Sequence, residues 1–575
     1  MILRSRRVVT EMTVKPASIH IESGRITRVG SYEEGGIDVG DLVILPGLVD
    51  THVHINEPGR ADWEGFETAT RAAAAGGITT LIEMPLNSIP ATTTVAAYRV
   101  KLEAARGKLT VDTGFWGGVV PGNTAELEPL WRAGVFGFKC FLATSGVDEF
   151  EHVSETDLRE AMPILARLGA PLLVHAELPE HLREPSGGTH QDWLQSRPPA
   201  AEIEAIAMMI RLARETGARV HIVHLSATEA LPLIHQARAE GVDISVETCP
   251  HYLAFASEEI APSATEFKCA PPLRSLANRK RLREFLREGG IDMVVSDHSP
   301  SPPELKSGDF RAAWGGIASL ELGLPAMNTL FGELPEIARW MAEAPAGLAG
   351  LDHKGLIAPG HDADLVLFDP EARWIVDPAQ LQQRHKLTPY AGCKMRGRVI
   401  ATYLRGEKIY EHGKILRCGT GLILRSVLAD FLSCCGSRRW AKRMAAAAPL
   451  TSVEAAAALA AETWNGLAHE DWLEAFAAHP RIGDRSAAAE AASEQASVRS
   501  AAEQTLADLA GLNREYELRF GYIYIVCASG KSAEEMLTLL RSRLANDPET
   551  ELRIAAAEQL AITQLRLAKL RQRNL

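Results

Sequence analysis

The chain has 575 residues, more than one hydrophobic core usually serves, so we expect at least two domains, one of them large. Its net charge of −12 argues against a general nucleic-acid or anionic-membrane binder, because phosphate recognition needs a concentrated basic surface. Small-molecule chemistry is therefore the favoured class of function.

The distribution of apolar residues and cysteines predicts a cytoplasmic protein without nucleic-acid or membrane partners. Residues 1–20 carry charges among their apolar side chains and lack an uninterrupted signal-peptide core, and no run of about 18 apolar residues could span a bilayer. The eight cysteines, of which Cys434 and Cys435 are adjacent, do not form a disulfide framework and fit a reducing compartment.

The N-terminal 45 residues alternate short apolar and polar runs, which is typical of a small antiparallel sheet. From Leu42 onwards, short apolar strands alternate with stretches of helical character rich in Ala, Leu and Arg. Eight such units in about 260 residues predict a (β/α)8 barrel, whose active site lies at the C-terminal ends of its strands. The eight predicted strands are Leu42–Ile55, Gly77–Met84, Val111–Val119, Val135–Ala143, Pro171–His175, Arg219–Leu225, Asp243–Thr248 and Ile291–Ser296.

Residues that can bind a metal ion stand at or near the ends of five of these strands. His52 and His54 lie two apart in an extended strand, so both side chains project from the same face. Singly, each candidate would be interpreted as a core histidine or a capped strand end, but six at one rim of a barrel predict a metal centre. The other four candidates are Lys139, His175, His224 and Asp297.

Lys139 lies in the apolar run Val135–Ala143, where a charged ammonium group would carry a large desolvation cost unless it is paired or chemically altered. Carboxylation of the amine removes that cost and creates an anionic oxygen donor that can bridge two cations. The alternative is a lysine whose amine extends to solvent at the barrel mouth.

Several further motifs accompany these residues between positions 1 and 415. They are Glu247–Tyr252, Ser296–Pro300, Lys268–Arg274, Trp314–Ile317 and Gly355–Val366. Together with the histidine pair and Lys139, they resemble the binuclear amidohydrolases that open cyclic amides, and within that group the allantoinases. The resemblance implies a barrel of residues 46–354 and a composite outer β-sandwich layer built from residues 1–45 and 355–415.

The resemblance also implies an activity and a cofactor. The reaction would be hydrolysis of the hydantoin ring of allantoin to allantoate, with two divalent metal ions, expected to be Zn²⁺, bridged by N6-carboxylated Lys139. His52, His54 and Asp297 would hold one ion, and His175 and His224 the other. Asp297 would also be the catalytic acid and base. Small ureide substrates and a homo-oligomer, a dimer or a tetramer, are the expected partners.

Two positions favour allantoin among related substrates. Dihydroorotases typically have Arg where Asn56 stands, to pair with a substrate carboxylate, so Asn56 suits a neutral ring. Hydantoinases and dihydropyrimidinases usually have Tyr at the position of Thr144. Asn56 and Thr144 are thus candidate substrate contacts. The alternatives are a hydantoinase-type cyclic amidase with a helical oligomerisation or docking module, and a non-catalytic amidohydrolase-like scaffold.

From about residue 420 to residue 575 nearly everything has helical character. Composition alone would also fit an oligomerisation module, but five motifs are more specific: 478–484, 493–497, 512–516, 520–527 and 543–548. They resemble the all-helical decarboxylase that acts on 2-oxo-4-hydroxy-4-carboxy-5-ureidoimidazoline (OHCU). Since the product of that family is (S)-allantoin, one chain would carry two consecutive steps of urate breakdown.

The decarboxylase resemblance assigns the acid/base role to His479, with Glu494 beside it. Loss of carbon dioxide leaves electron density that must be protonated, and His can donate a proton near neutral pH. A helix C-terminal cap ahead of Pro480 is the alternative role for His479. No motif for a metal, pyridoxal phosphate or thiamine occurs in this part, so no cofactor is expected there. The candidate substrate contacts are Pro480, Gln495, Ile523 and Arg543.

Overall fold

The computed structural model describes residues 1–32, 35–447, 453–479, 503–529 and 531–571. Contacts divide the chain into two units, Met1–Ser426 and Val427–Leu575. Among the residues described, no helix is long and apolar enough to cross a membrane.

Unit 1 alternates strands and helices along most of its length. Its strands β1 to β18 are Ile2–Thr10, Thr13–Glu22, Arg25–Gly30, Ile37–Asp38, Val43–Pro46, Leu48–Val53, Ile78–Glu83, Asp112–Phe115, Gly117–Gly118, Phe138–Phe141, Leu172–His175, Val220–Ile222, Ile244–Thr248, Met293–Val294, Leu365–Ile375, Lys394–Leu404, Glu407–Glu411 and Lys414–Ile415. Its helices α1 to α12 are Phe66–Ala75, Val95–Ala105, Thr124–Ala133, Glu155–Leu168, His190–Ser196, Pro199–Thr216, Leu231–Ala239, Pro250–Ala254, Leu276–Arg287, Gly323–Leu330, Leu334–Ala338 and Ala344–Ala349.

The barrel consists of two parallel arcs. One has the order β6-β7-β8 and the other β9-β10-β11-β12-β13-β14. Only Trp116 separates β8 from β9 along the chain, and a parallel bridge between Val53 and His298 joins the end of β6 to the residues after β14. The predicted (β/α)8 fold is confirmed.

The helices around the barrel follow from local sequence. For example, α4 begins with a capping box in which Ser154 and Asp157 satisfy each other's backbone N–H groups, and it ends at Gly169, whose φ of 67° suits glycine. Its buried face presents Leu158, Ala161, Met162, Leu165 and Leu168 to the strands.

The predicted first strand, Leu42–Ile55, is two strands in the structure. β5 joins the outer sheet, where Leu365 of β15 lies opposite Pro46, whereas β6 enters the barrel. The chain divides at Gly47, where a Cβ atom would lie 2.3 Å from Oγ1 of Thr79, so only glycine fits there. The apolar run is continuous across this point because both strands are buried.

The outer sheet draws nine strands from both ends of unit 1. Its order is β18-β17-β16-β15-β5-β1-β2-β3, with β4 beside β1. Most neighbours are antiparallel, but β1 pairs in parallel with both β4 and β5. Its core includes Val8, Ile19, Ile44, Leu365 and Tyr403.

Unit 1 continues beyond the outer sheet through a short segment, residues 420–426. The backbone N–H of Gly421 donates to Leu109 (2.9 Å), that of Leu424 to Thr113 (2.8 Å) and that of Ser426 to Gly134 (2.9 Å). The structural division therefore falls after Ser426, whereas the sequence placed the start of the second domain at residue 420.

Every regular element described in unit 2 is a helix, as predicted. The helices α13 to α19 are Leu428–Cys434, Arg438–Ala446, Val453–Asn465, His469–Ala477, Glu503–Phe520, Ala533–Arg543 and Pro548–Arg571. The indole N–H of Trp440 donates to Ala460 (3.1 Å) and that of Trp464 to Ala556 (3.0 Å), so both large side chains are buried without an unpaired donor.

Candidate active sites

The predicted metal ligands converge at the C-terminal ends of the barrel strands. Nε2 of His52 lies 3.2 Å from Oδ1 of Asp297, and Nε2 of His54 lies 3.5 Å from the same oxygen. The ligand atoms of His52, His224 and Asp297 all lie within 4.8 Å of one another. Three strands that are distant in sequence thus place donors around one small space.

A second pair of histidines completes the cluster. His175 ends β11 and His224 follows β12, and Nδ1 of His175 lies 3.0 Å from Nε2 of His224. His224 and Asp297 have φ values of 39° and 44°, in the left-handed region that L-residues rarely adopt. Such conformations cost about 1–3 kcal/mol each and concentrate at functional sites.

Lys139 lies within β10, with no exposed surface. Its Nζ has no hydrogen-bond partner among the residues described, and it lies 4.9 Å from the centre of the Phe141 ring. Burial lowers the pKa of Lys139 to about 8. The amine of Lys139 therefore does not extend to solvent at the barrel mouth.

The charge states of the donors suit a divalent cation. Burial lowers the pKa of His54 to about 4 and that of His224 well below its usual value, so both imidazoles are neutral and can act as ligands. Burial raises the pKa of Asp297, but His52, His54 and His224 together lower it far more, so this carboxyl is ionised. Neutral imidazoles with an anionic oxygen fit Zn²⁺ and similar ions.

Two buried carboxylates that the sequence analysis did not single out contact these histidines. Oε1 of Glu247 lies 2.5 Å from Nδ1 of His52, and Oε2 of Glu177 lies 2.8 Å from Nε2 of His175. For Glu247, burial raises the pKa, but His52 and His221 lower it to about 2. For Glu177, Arg197 and His175 outweigh burial and likewise bring the pKa to about 2. Both groups are anions.

The predicted substrate contacts of the barrel lie in different surroundings. Asn56 is buried two residues after His54, with a φ of 67°; its Nδ2 donates to Pro300 (3.3 Å), while Oδ1 has no partner in the described part of the chain. Thr144 is exposed, and its hydroxyl accepts a hydrogen bond from the backbone of Gly146 (3.3 Å). Asn56 is therefore buried close to the ligands with an unused acceptor oxygen, whereas Thr144 is exposed to solvent.

A further cluster shares Asp297. The ligand atoms of Cys249, His251 and Asp297 also lie within 4.8 Å of one another, and all three side chains are buried. Burial raises the pKa of the Cys249 thiol well above its usual value, so Cys249 is a neutral thiol. The residue that the two clusters share is the one to which the sequence analysis gave the acid/base role.

The structure places two of the predicted decarboxylase residues in packed surroundings. Arg543 is buried at the end of α18; its Nε donates to Oε1 of Glu551 (2.7 Å) and its Nη1 to the backbone oxygen of Ile525 (2.8 Å). Ile523 packs partly buried against the helical core. The guanidinium of Arg543 is thus largely engaged by the protein itself, and its contact with substrate stays a prediction.

His479 lies two residues beyond the last residue of α16, and its backbone N–H donates to Phe476 (3.1 Å). That position is compatible both with the acid/base role and with a helix C-terminal cap. Three of the other predictions, Pro480, Glu494 and Gln495, lie outside the described residues.

Comparison with known families decides between the interpretations of the barrel. The amidohydrolase family model matches residues 43–409. The chain belongs to the amidohydrolase family. This membership implies a divalent metal centre, in agreement with the donors at the strand ends. The OHCU decarboxylase family model matches residues 424–568. Both predicted resemblances are confirmed.

Individual relatives of this amidohydrolase are similar to roughly the first three quarters of the chain. An allantoinase from Streptomyces avermitilis is 50% identical over 427 residues, which are 72% of this chain and 96% of the relative. An allantoinase from Saccharomyces cerevisiae is 47% identical over 437 residues, 71% of this chain and 95% of the relative. Among solved structures, L-hydantoinase (dihydropyrimidinase) from Arthrobacter aurescens matches with a TM-score of 0.70 and 33% identity, over 74% of this chain and 99% of its own.

Proposed function

We propose that unit 1 hydrolyses the hydantoin ring of allantoin to allantoate, and that unit 2 decarboxylates OHCU to (S)-allantoin. The observation that carries the first activity is the convergence of His52, His54, His175, His224 and Asp297, with the buried Lys139, at one end of the barrel. The 50% identity to an allantoinase favours allantoin over other cyclic amides.

The donors support a centre of two divalent ions, with Zn²⁺ as the proposed metal. His52, His54 and Asp297 would hold one ion and His175 and His224 the other, with N6-carboxylated Lys139 shared between them. Bound ions of this kind would supply Lewis-acid polarisation of the ring carbonyl. Support for the carbamate comes from Lys139 itself, because a buried amine whose pKa is about 8 is partly neutral near pH 8, and only a neutral amine reacts with carbon dioxide.

Asp297 is the proposed acid and base of ring opening. Its carboxylate is ionised and can accept the proton of the attacking water, after which the same proton is delivered to the ring nitrogen as the C–N bond breaks. The water oxygen ends in the new carboxylate of allantoate. Oδ1 of Asn56 is free to accept a hydrogen bond from an N–H of the neutral ring.

In unit 2, His479 is the proposed proton donor to the carbon that loses carbon dioxide, with Glu494 orienting the imidazole or the substrate hydroxyl. The match of residues 424–568 to the OHCU decarboxylase family carries this assignment. We propose that this step needs no cofactor.

Product analysis tests both activities on the full-length protein. Mass spectrometry after incubation with allantoin, hydantoin, dihydrouracil or dihydroorotate should show ring opening of allantoin well above that of the other three. Freshly prepared OHCU should give (S)-allantoin and then allantoate. Preference for a hydantoin or a dihydropyrimidine would favour the hydantoinase alternative, and a metal content near zero with no turnover would favour the non-catalytic scaffold. Light scattering would test the proposed dimer or tetramer.

A further inference from the structure

A histidine that binds a metal through one ring nitrogen carries a proton on the other, and the acceptor of that proton sets the ring's orientation and tautomer. In this barrel, two histidines assigned to different ions have such acceptors. They use opposite nitrogens.

Glu247 serves His52. The ring of His52 points its Nε2 at Asp297 and its Nδ1 at Oε1 of Glu247, at 2.5 Å. Glu247 has no exposed surface, and its second oxygen lies 2.9 Å from Nε2 of His221, whose Nδ1 lies 2.8 Å from Oγ of Ser245. The carboxylate is therefore held from both sides, and it can orient His52 without itself being free to rotate.

Glu177 serves His175. The Nδ1 of this ring faces Nε2 of His224 at 3.0 Å, while its Nε2 faces Oε2 of Glu177 at 2.8 Å. Glu177 is also fully buried, and Nη2 of Arg197 lies 3.4 Å from the same oxygen. The carboxylate is again fixed by a second partner.

We propose that Glu247 and Glu177 are positioning residues, each of which fixes the tautomer of one histidine and thereby the affinity of one of the two metal positions. The proposal rests on the proposed two-metal site. Glu247 acts on the position of His52, His54 and Asp297, and Glu177 acts on the position of His175 and His224. Neither carboxylate is among the proposed metal ligands. The backbone N–H of His224 also donates to Oε1 of Glu247 (3.3 Å), so Glu247 contacts the ring of His52 but only the backbone of His224.

The tautomers of the two rings in the parent protein test the proposal directly. In ¹⁵N-histidine NMR of the full-length protein, His52 should carry its proton on Nδ1 and His175 on Nε2, with both protons protected from exchange. Assignment comes from the loss of one signal in His52→Ala and in His175→Ala. The same tautomer at both rings, or rapid exchange of both protons, would overturn the proposal.

Metal titration tests the selectivity. Metal-free parent should bind two equivalents of Co²⁺, with a visible absorption spectrum for each position. Glu247→Gln should weaken one position by about 10–100-fold and Glu177→Gln the other by a similar factor. His54→Ala identifies the positions: in that background, Glu177→Gln should still weaken the remaining site, whereas Glu247→Gln should add little, as a double-mutant cycle would measure.

Glu202→Gln is a matched control for the loss of a buried carboxylate. Glu202 is 2% exposed and accepts hydrogen bonds from the backbones of Ser226 (2.9 Å) and Ala227 (3.0 Å) and from Arg274 (2.6 Å), but it contacts no ligand side chain. The Glu202→Gln variant should therefore bind Co²⁺ at both positions with the affinity of the parent. If Glu202→Gln lowers them as much as the other two variants do, or if both variants weaken the same position, the proposal is wrong. A parent that binds fewer than two ions would instead refute the two-metal function.

Discussion

Nδ1 of His175 and Nε2 of His224 lie 3.0 Å apart, where the neighbouring strands β11 and β12 end. Burial lowers the pKa of both imidazoles, so one proton shared between two neutral rings accounts for this contact. A cation that binds both rings must displace that proton. The pair is thus prepared for a metal ion, and its function should depend on one.

We therefore expect chelation to separate the two activities. Dialysis against a strong chelator should abolish allantoin hydrolysis and leave OHCU decarboxylation within a few-fold of its starting rate, because no metal is proposed in unit 2. Both rates and the metal content should be measured on the same sample, and added Zn²⁺ or Co²⁺ should restore hydrolysis. Parallel loss of both activities would disprove a metal-free decarboxylase.

Lys139→Ala should abolish ring opening and empty at least one metal position, because the proposed carbamate is shared by both ions. Elemental analysis and allantoin turnover would be measured together. Short-chain carboxylic acids should restore part of the activity by occupying the space of the missing carbamate, and the same acids should not stimulate the parent. A fully active Lys139→Ala protein with two bound metals would rule out the bridging role.

His479→Ala should remove decarboxylation while allantoin hydrolysis stays within a few-fold of the parent, since the two sites lie in separate units. The measurement is stereospecific formation of (S)-allantoin from fresh OHCU, corrected for the uncatalysed reaction. If His479 only caps α16, the variant should lower the melting temperature and keep its turnover per folded molecule.

A pH effect on stability is expected from Lys306, which is 8% exposed and donates a hydrogen bond to the backbone of Gly316. Burial lowers its pKa from 10.5 to about 7. Between about pH 7 and pH 10.5, the unfolded chain therefore binds more protons than the folded one, and the contribution of Lys306 to the free energy of unfolding rises with pH. Below pH 7 the buried charge destabilises the fold by at most about 4–5 kcal/mol.

Lys306→Met removes this titration. The variant should gain most in free energy of unfolding, relative to the parent, below pH 7, and this gain should shrink as the pH rises towards 10. The lost hydrogen bond lowers the gain by about 1 kcal/mol. Calorimetry of both proteins across that range would measure it. Lys280→Met, at a side chain that is 80% exposed, is the matched control and should show no pH-dependent difference. A difference between parent and Lys306→Met that does not change with pH would refute the assignment.

The fusion should make flux from OHCU to allantoate (S)-selective without a true channel. A small product leaves an open site far faster than a typical turnover of about 10 s⁻¹, so a transient pool of (S)-allantoin should appear with the intact chain and with separated units alike. A cut near residue 418 would remove residues 420–426 from unit 1, so the separated proteins should be divided after Ser426. Absence of the pool in the intact chain alone would indicate channelling.

Much of the barrel and its rim could be predicted because each part has a local signature. Strand alternation places His52 and His54 on one face, and an amine within the apolar run around Lys139 is conspicuous. The same argument applied to Glu247, a carboxylate inside the buried strand β13, would have identified it. The contact between Glu247 and His52 could not be found this way, because the two residues are 195 positions apart and only the closed barrel brings them together.

The division of the first strand at Gly47 was hidden for a different reason. Both β5 and β6 are buried on all sides, so the hydrophobic pattern does not change where the chain passes from one sheet to the other. The close approach of Thr79 decides the position, and this is a contact between residues that the local pattern does not connect.

The segment of residues 420–426 has a practical consequence for protein engineering. It passes β8 and ends at Ser426, whose backbone N–H donates to Gly134 at the C-terminus of α3. Because α3 leads into β10, Gly134 lies on the side of the barrel where the strands begin, away from the ligand-bearing strand ends. A fluorescent protein or an immobilisation tag joined directly after Ser426 would accordingly be tethered on the side of the barrel opposite the ligands. The mouth of an immobilised catalyst made in this way should stay open to substrate.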